Sequence, residues 1–129
     1  MTRIPTRWVT ALALATGLVT VLPAQADSVA SKTEPLGKMD NVKVDTIRLV
    51  RRNGLLNIQA EFVNQSSKNQ VVFYRFKWLD DSGFSTWGEE VWKPITLYGT
   101  ERKLLTEVAP TPNTTDFRLQ LQSPENTVR

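Results

Sequence analysis

The chain has 129 residues with no cysteine and no histidine, and its 16 Lys and Arg against 13 Asp and Glu give a net charge of +3. Those two absences exclude a thiol nucleophile, a Ser-His-Asp or Cys-His constellation, and the nitrogen and sulfur ligands that suit zinc or copper. Nor is there a G-x-S-x-G or S-x-x-K motif.

Residues 1–26 read as a cleavable secretory signal. Arg3 and Arg7 precede an apolar run over residues 8–22, Pro23 interrupts it, and Ala24 and Ala26 supply small side chains before a cut between Ala26 and Asp27. The run, at about 15 residues, falls short of the ~20 that span a bilayer. Export to a bacterial periplasm is the expected destination, since a secreted chain without disulfides must fold by its core alone. Cleavage removes two of the sixteen basic residues and leaves fourteen against thirteen acids, a net +1. A balance this even carries no basic footprint for nucleic acid. Without cysteine there is no acceptor for a lipid anchor, so neither a membrane span nor a tether is expected.

Residues 27–40 are polar and aperiodic, and read as a flexible N-terminal arm. Strands then follow over residues 41–122. In Val42–Arg52 the apolar phase slips between Val44 and Ile47, which implies a β-bulge near Asp45 and Thr46. Asn53-Gly54 signals a two-residue hairpin. Beyond it Leu56, Ile58, Ala60 and Phe62 alternate with Asn57, Gln59 and Glu61, giving one buried and one wet face. Residues 70–79 put Val72, Tyr74, Phe76 and Trp78 on one face, and Val71, Phe73, Arg75 and Lys77 mainly on the other. An aromatic face at period two marks a strand at the centre of a core.

After the turn Asp80-Asp81-Ser82-Gly83 the pattern loosens, and residues 84–92 read as a short edge strand with an irregular loop. Residues 95–98 form a short strand with Pro94 at its start. Arg102–Val108 reads as a strand whose Leu104, Thr106 and Val108 share a face, and Asp116–Gln122 is the last, with Phe117, Leu119 and Leu121 in register. Residues 123–129 are a tail. About seven short strands without a helical period indicate an all-β, antiparallel, immunoglobulin-like β-sandwich. A small closed barrel is the alternative.

No metal site is expected: the Asp80-Asp81 doublet lacks calcium-loop spacing and has ordinary turn composition. Glu89 and Glu90 point to opposite faces if extended, so they make no convergent acid/base pair. The chain is therefore expected to be no enzyme and to need no cofactor. The binding candidates are the aromatics of the least periodic segment, Phe84, Trp87, Trp92 and Tyr98, which could stack on a sugar or anchor a protein. The competing reading has Trp92 covering one open end of the sandwich and Trp87 on a loop. Arg48, Arg51 and Arg52 form a basic cluster at the first hairpin, read as a solvated edge or a contact for an anionic envelope polymer or lipid headgroup. Asn64-Gln65-Ser66 and Asn113-Thr114-Thr115 match the N-glycosylation pattern, which a bacterial setting leaves idle.

The stretch "YRFKWLDDSGF" resembles the Y-R-F-x-W-x-D-x-x-G segment of the YcfL family, small exported proteins of Gram-negative bacteria. "ITLYGTERKLLTEVAP" and "DFRLQLQ" are similar to that family's second half, so the resemblance spans residues 55–122. It implies an immunoglobulin-like periplasmic domain with no established catalytic activity and no catalytic residues to carry over. Tyr74, Arg75, Phe76, Trp78, Asp80 and Gly83 match the pattern, and their implied role is structural. Many relatives are lipoproteins, whereas this chain has Ala26 and no acceptor cysteine before the cut. The expectation is a non-catalytic periplasmic accessory module of the cell envelope that binds a protein partner. The alternative is a saccharide-binding module for peptidoglycan.

Overall fold

The structure, a computed structural model, describes residues 25–124, with side chains from Val29 onward. Most of the expected secretory signal and the end of the expected tail lie outside the described residues. One helix, α1 (Gln25–Lys32), precedes seven strands: β1 (Thr33–Pro35), β2 (Val42–Arg52), β3 (Leu55–Asn64), β4 (Gln70–Leu79), β5 (Lys93–Leu97), β6 (Arg102–Val108) and β7 (Asp116–Gln122). They form two sheets, β1-β7-β4-β5 and β2-β3-β6, packed as a sandwich.

The core is the inward phase of each strand. Val72, Tyr74, Phe76 and Trp78 of β4 are all buried, as are Leu56, Ile58, Ala60 and Phe62 of β3 and Phe117, Leu119 and Leu121 of β7. Trp78 stacks on Phe76 with ring centroids 4.9 Å apart, and Phe62 reaches across the sheets to Tyr74 at 6.5 Å. Such aromatic pairs stabilise by about 0.5–1.5 kcal/mol beyond the area they bury. The β2–β3 hairpin turns on Asn53 and Gly54, both at positive φ, as a primed turn requires. Its register slips between Val44 and Thr46, the expected bulge.

The N-terminal segment departs from a flexible arm. Residues 25–35 form α1 and β1, and β1 pairs with β7 in parallel, an exception to the otherwise antiparallel order. Val29 and Met39 pack against the core, and Lys32 pairs with Asp116 at 2.6 Å. Burial pushes the Asp116 carboxyl up, but hydrogen bonds from Lys32, the Phe117 N–H and Arg118 outweigh it, so the group titrates below its ordinary value. A short polar helix has little intrinsic stability, and packing along the open flank of the sandwich is what holds it.

The opposite flank, between β5 and β6, is closed by charge. On β6 the shared face of Leu104, Thr106 and Val108 points outward, and Lys103, Leu105 and Glu107 point in. Lys103 Nζ donates to the Thr96 carbonyl at 2.7 Å, and Lys93 pairs with Glu107 at 3.6 Å. Inward-turned charges on an edge strand are a recognised guard against unwanted pairing.

Candidate functional site

Residues 80–92 contain no strand; a single bridge joins Ser85 to Leu79. The loop is nevertheless pinned along its length. The Asp80 carboxylate accepts from the Ser82 and Phe84 N–H groups, both at 2.9 Å, and Gly83 takes positive φ. The turn thus occupies the carboxylate with its own backbone. Thr86 N–H donates to the Trp78 carbonyl at 3.0 Å, and the Thr86 hydroxyl lies 2.5 Å from that of buried Thr114.

Glu90 fastens the far end. β5 pairs with β4 only from Gln70 to Tyr74, which leaves the end of β4 without a strand on that side. The Glu90 carboxylate fills the gap, accepting from the Phe76 N–H at 3.0 Å and from the Trp78 indole N–H at 2.9 Å. A buried N–H left unpaired costs about 1–3 kcal/mol, so this one side chain substitutes for missing ladder bonds.

Outside, Arg75 organises the surface. Its Nε donates to Gln120 at 2.7 Å, its Nη1 pairs with Glu89 at 2.7 Å, and its guanidinium lies 4.3 Å from the Trp92 ring centroid. Gln120 in turn donates to Glu34 of β1 at 2.9 Å. A cleft of about 270 Å³ opens beside this network, lined by Arg75, Lys77, Ser85, Trp87, Glu89 and Gln120 among others. Among the described residues no group of three or more His, Cys, Asp and Glu side chains could hold a metal.

The four candidate aromatics separate. Phe84 and Trp87 stand exposed on the loop, 71% and 53% accessible, together with Val91 at 75%. Trp92 is half-buried against Arg75 on the outer face of its sheet, so it covers no open end. Tyr98 is exposed but follows β5, whose Leu97 pairs with Gln70 at the start of β4. It therefore belongs to the other end of the molecule, about 30 Å away along a ten-residue strand. Sequence proximity grouped what the antiparallel turn separates.

At that other end sits a residue read only as part of a glycosylation pattern. Asn64 is 1% exposed, its Nδ2 donates to the carbonyls of Lys68, Leu97 and Tyr98, and its Oδ1 accepts from Ser66 N–H and Oγ. A side chain so enclosed is a structural hub and no acceptor for a glycan. The loops it joins are in close contact, since a Cβ on Gly99 would meet the Ser67 carbonyl oxygen at 2.2 Å. The hubs Asn64, Arg75 and Glu90 were not singled out as organisers from sequence. Only Arg75 carried a signal, its outward phase on β4.

A family model described as "Protein of unknown function (DUF1425)" matches residues 27–123. The chain belongs to this DUF1425 family. Among solved structures the fold is similar to Campylobacter jejuni cj0090, at 20% identity and a TM-score of 0.62, over 71% of this chain and 97% of that one. It is also similar to a DUF1425 family member from Shewanella sp. pv-4, at 26% identity and a TM-score of 0.57, over 62% of this chain and 75% of that one. No curated protein matches. The first likeness, at that identity, speaks to the fold alone, and the second adds a family member with the same sandwich. Among the described residues of this DUF1425 chain no helix is long and apolar enough to cross a membrane.

Proposed function

We propose that this DUF1425 chain is an exported, non-catalytic accessory module of the cell envelope, of the YcfL type, that docks on a partner protein through residues 80–92. One observation carries the reading. Phe84, Trp87 and Val91 are exposed on a loop that Asp80, Thr86, Glu89 and Glu90 hold in place. Apolar anchors on a pre-ordered loop lose little conformational entropy on binding, which is how interface hot spots gain their strength. The signal-like residues 1–26, the YcfL-like β4 stretch and the lack of histidine and cysteine support the compartment and the absence of catalysis.

A photo-crosslinking residue placed at position 87 in cells tests this. The expected result is one reproducible protein adduct, lost when Phe84→Ser is added; labelling no greater than that of a probe at exposed Lys68, at the opposite end of the sandwich, overturns it. A second reading has a specific observation behind it: Trp87 borders a cleft edged by Lys77, Glu89 and Gln120, the mix of aromatic face and polar groups that suits a sugar ring. Saturable quenching of tryptophan fluorescence by muropeptides, abolished in Trp87→Phe, would select that reading over the first.

A further inference from the structure

We propose that the outward face of the β2-β3-β6 sheet, at its hairpin end, binds an acidic saccharide, meaning a sugar ring that bears a carboxylate or a phosphate. This surface is separate from the 80–92 loop. The strand register sets Arg48 beside Gln59 and Thr106 in one outward row, and Val50 beside Asn57 in the next. α1 packs along β2 with Val29 turned to the core, and the outward Arg48, Val50 and Arg52 remain exposed. A shallow cleft of about 290 Å³ lies on this face, lined by Arg48, Val50, Arg52, Asn57, Gln59 and Thr106 among others.

Charge defines one part of the ligand. Arg48 and Arg52 form no hydrogen bond or ion pair among the described residues, and no acid lines their cleft. The next outward row holds Glu61, which Arg102 already takes at 2.9 Å. Arg51 turns the other way and donates to the Gly54 and Thr114 carbonyls at 3.0 Å. Two unpaired guanidinium groups on one cleft repel each other, and an anion held between them removes that repulsion. The planar fork of arginine matches a carboxylate or a phosphate, two N–H groups to two oxygens.

The groups between the arginines define the rest. Asn57 donates its Nδ2 to the Leu55 carbonyl at 3.0 Å, which leaves its Oδ1 to accept. The Gln59 amide and the Thr106 hydroxyl form no side-chain hydrogen bond among the described residues, so each has a donor and an acceptor to give. A ligand that satisfies all three carries hydroxyl groups as well as a charge. The cleft falls at the small end of the ~300–1,000 Å³ typical of ligand sites, with room for one ring and its substituents. No aromatic side chain lines it, so stacking contributes nothing and a neutral sugar has little hold. A lipid surface is a poorer occupant, because two free cations fall short of the about four to eight that mark an anionic-lipid site. An acidic peptide is poorer too, since strand addition needs an open edge and α1 packs along β2.

Titration of the folded protein with glucuronate, glucose 6-phosphate, glucose and inorganic phosphate, followed by the side-chain amide resonances of Asn57 and Gln59, tests the inference. One or both sugar acids should shift these resonances saturably, which tells carboxylate from phosphate. Inorganic phosphate should bind at least about tenfold more weakly, and glucose should not bind. Arg48→Gln/Arg52→Gln should lose at least about tenfold in affinity for the sugar acids. Gln59→Leu should lose about threefold for them and nothing for phosphate, a split that recognition of charge alone does not produce. Trp87→Ser should bind them unchanged, which separates this surface from the 80–92 loop. Phosphate bound as tightly as the sugar acids would reveal an unselective anion site and overturn the proposal. So would no saturable shift with either sugar acid, affinity unmoved by the arginine changes, or tighter binding to phosphatidylglycerol vesicles or to an acidic peptide.

Discussion

The two ends of the sandwich solve the same problem with different consequences. At one end Asn64 gathers the loops after β3 and β5; at the other Glu90 ties residues 80–92 to the uncovered edge of β4. Each uses one polar side chain to satisfy backbone that no strand reaches. Asn64 is enclosed, and its loops approach so closely that only glycine fits at position 99. Glu90 is half-buried, and its loop holds Phe84, Trp87 and Val91 out to solvent. A pin that excludes water makes a closed seam, whereas a pin at the surface makes a platform.

If that contrast is right, removing the first pin must cost more than removing the second. Asn64→Leu leaves the Lys68, Leu97 and Tyr98 carbonyls and the Ser66 N–H without their partner, the Leu97 carbonyl at a fully buried contact. The expected loss is about 3–4 kcal/mol, read as a lower urea midpoint at unchanged slope. Glu90→Ala strips the Phe76 N–H and the Trp78 indole of their acceptor, but water can replace part of it. The expected loss is about 2 kcal/mol, with altered Trp78 fluorescence and faster exchange of the Phe76 amide. Equal losses at both ends would dissolve the distinction.

Much of this architecture is legible in residues. Strict alternation in β3, β4 and β7 marks their buried faces because both neighbours and a facing sheet enforce one phase. Asn53-Gly54 specifies its turn through local backbone sterics alone. The same logic fails where an element is short or at an edge. α1 and β1 have too few residues for a period, and docking on β2, β7 and the core gives them structure. In β6 the apolar alternation lies on the outer face, because Lys103 and Glu107 are used inside to bridge to β5. At the candidate site, Phe84 and Trp87 were readable as loop aromatics. The split from Tyr98 and the reach of Glu90 back to Phe76 depend on long-range pairing, which spacing does not encode.

The platform end also holds α1, through Lys32 and Asp116, and this link should respond to acid. The folded Asp116 carboxyl titrates below its ordinary value of 3.8. Its contribution is therefore present above that ordinary value and lost as pH falls through the lower folded one. With side chains 27% and 30% exposed the pair is partly screened. Asp116→Asn is expected to cost about 1 kcal/mol or less at neutral pH and to shallow the acid limb of a stability–pH profile. An unchanged acid limb would show that the Lys32–Asp116 pair does not hold α1.

The smallest effect probes the backbone of the two ends. Asn53 at the hairpin and Thr100 in the closed seam both take left-handed φ, 54° and 61°. Asparagine tolerates that region, whereas a β-branched threonine is an outlier there. Thr100 is held in place because its N–H donates to the Ser66 carbonyl at 2.8 Å and the Glu101 N–H closes the turn onto Tyr98 at 2.9 Å. Thr100→Asn keeps both backbone bonds and removes the steric penalty, so it should stabilise the chain by about 0.5–1 kcal/mol. Thr100→Gly should gain less, since glycine raises the entropy of the unfolded chain. A thermal midpoint that rises for Asn and less for Gly would locate stored strain in the closed seam. If neither variant rises, the seam is relaxed, and the two ends differ only in the exposure of their pins.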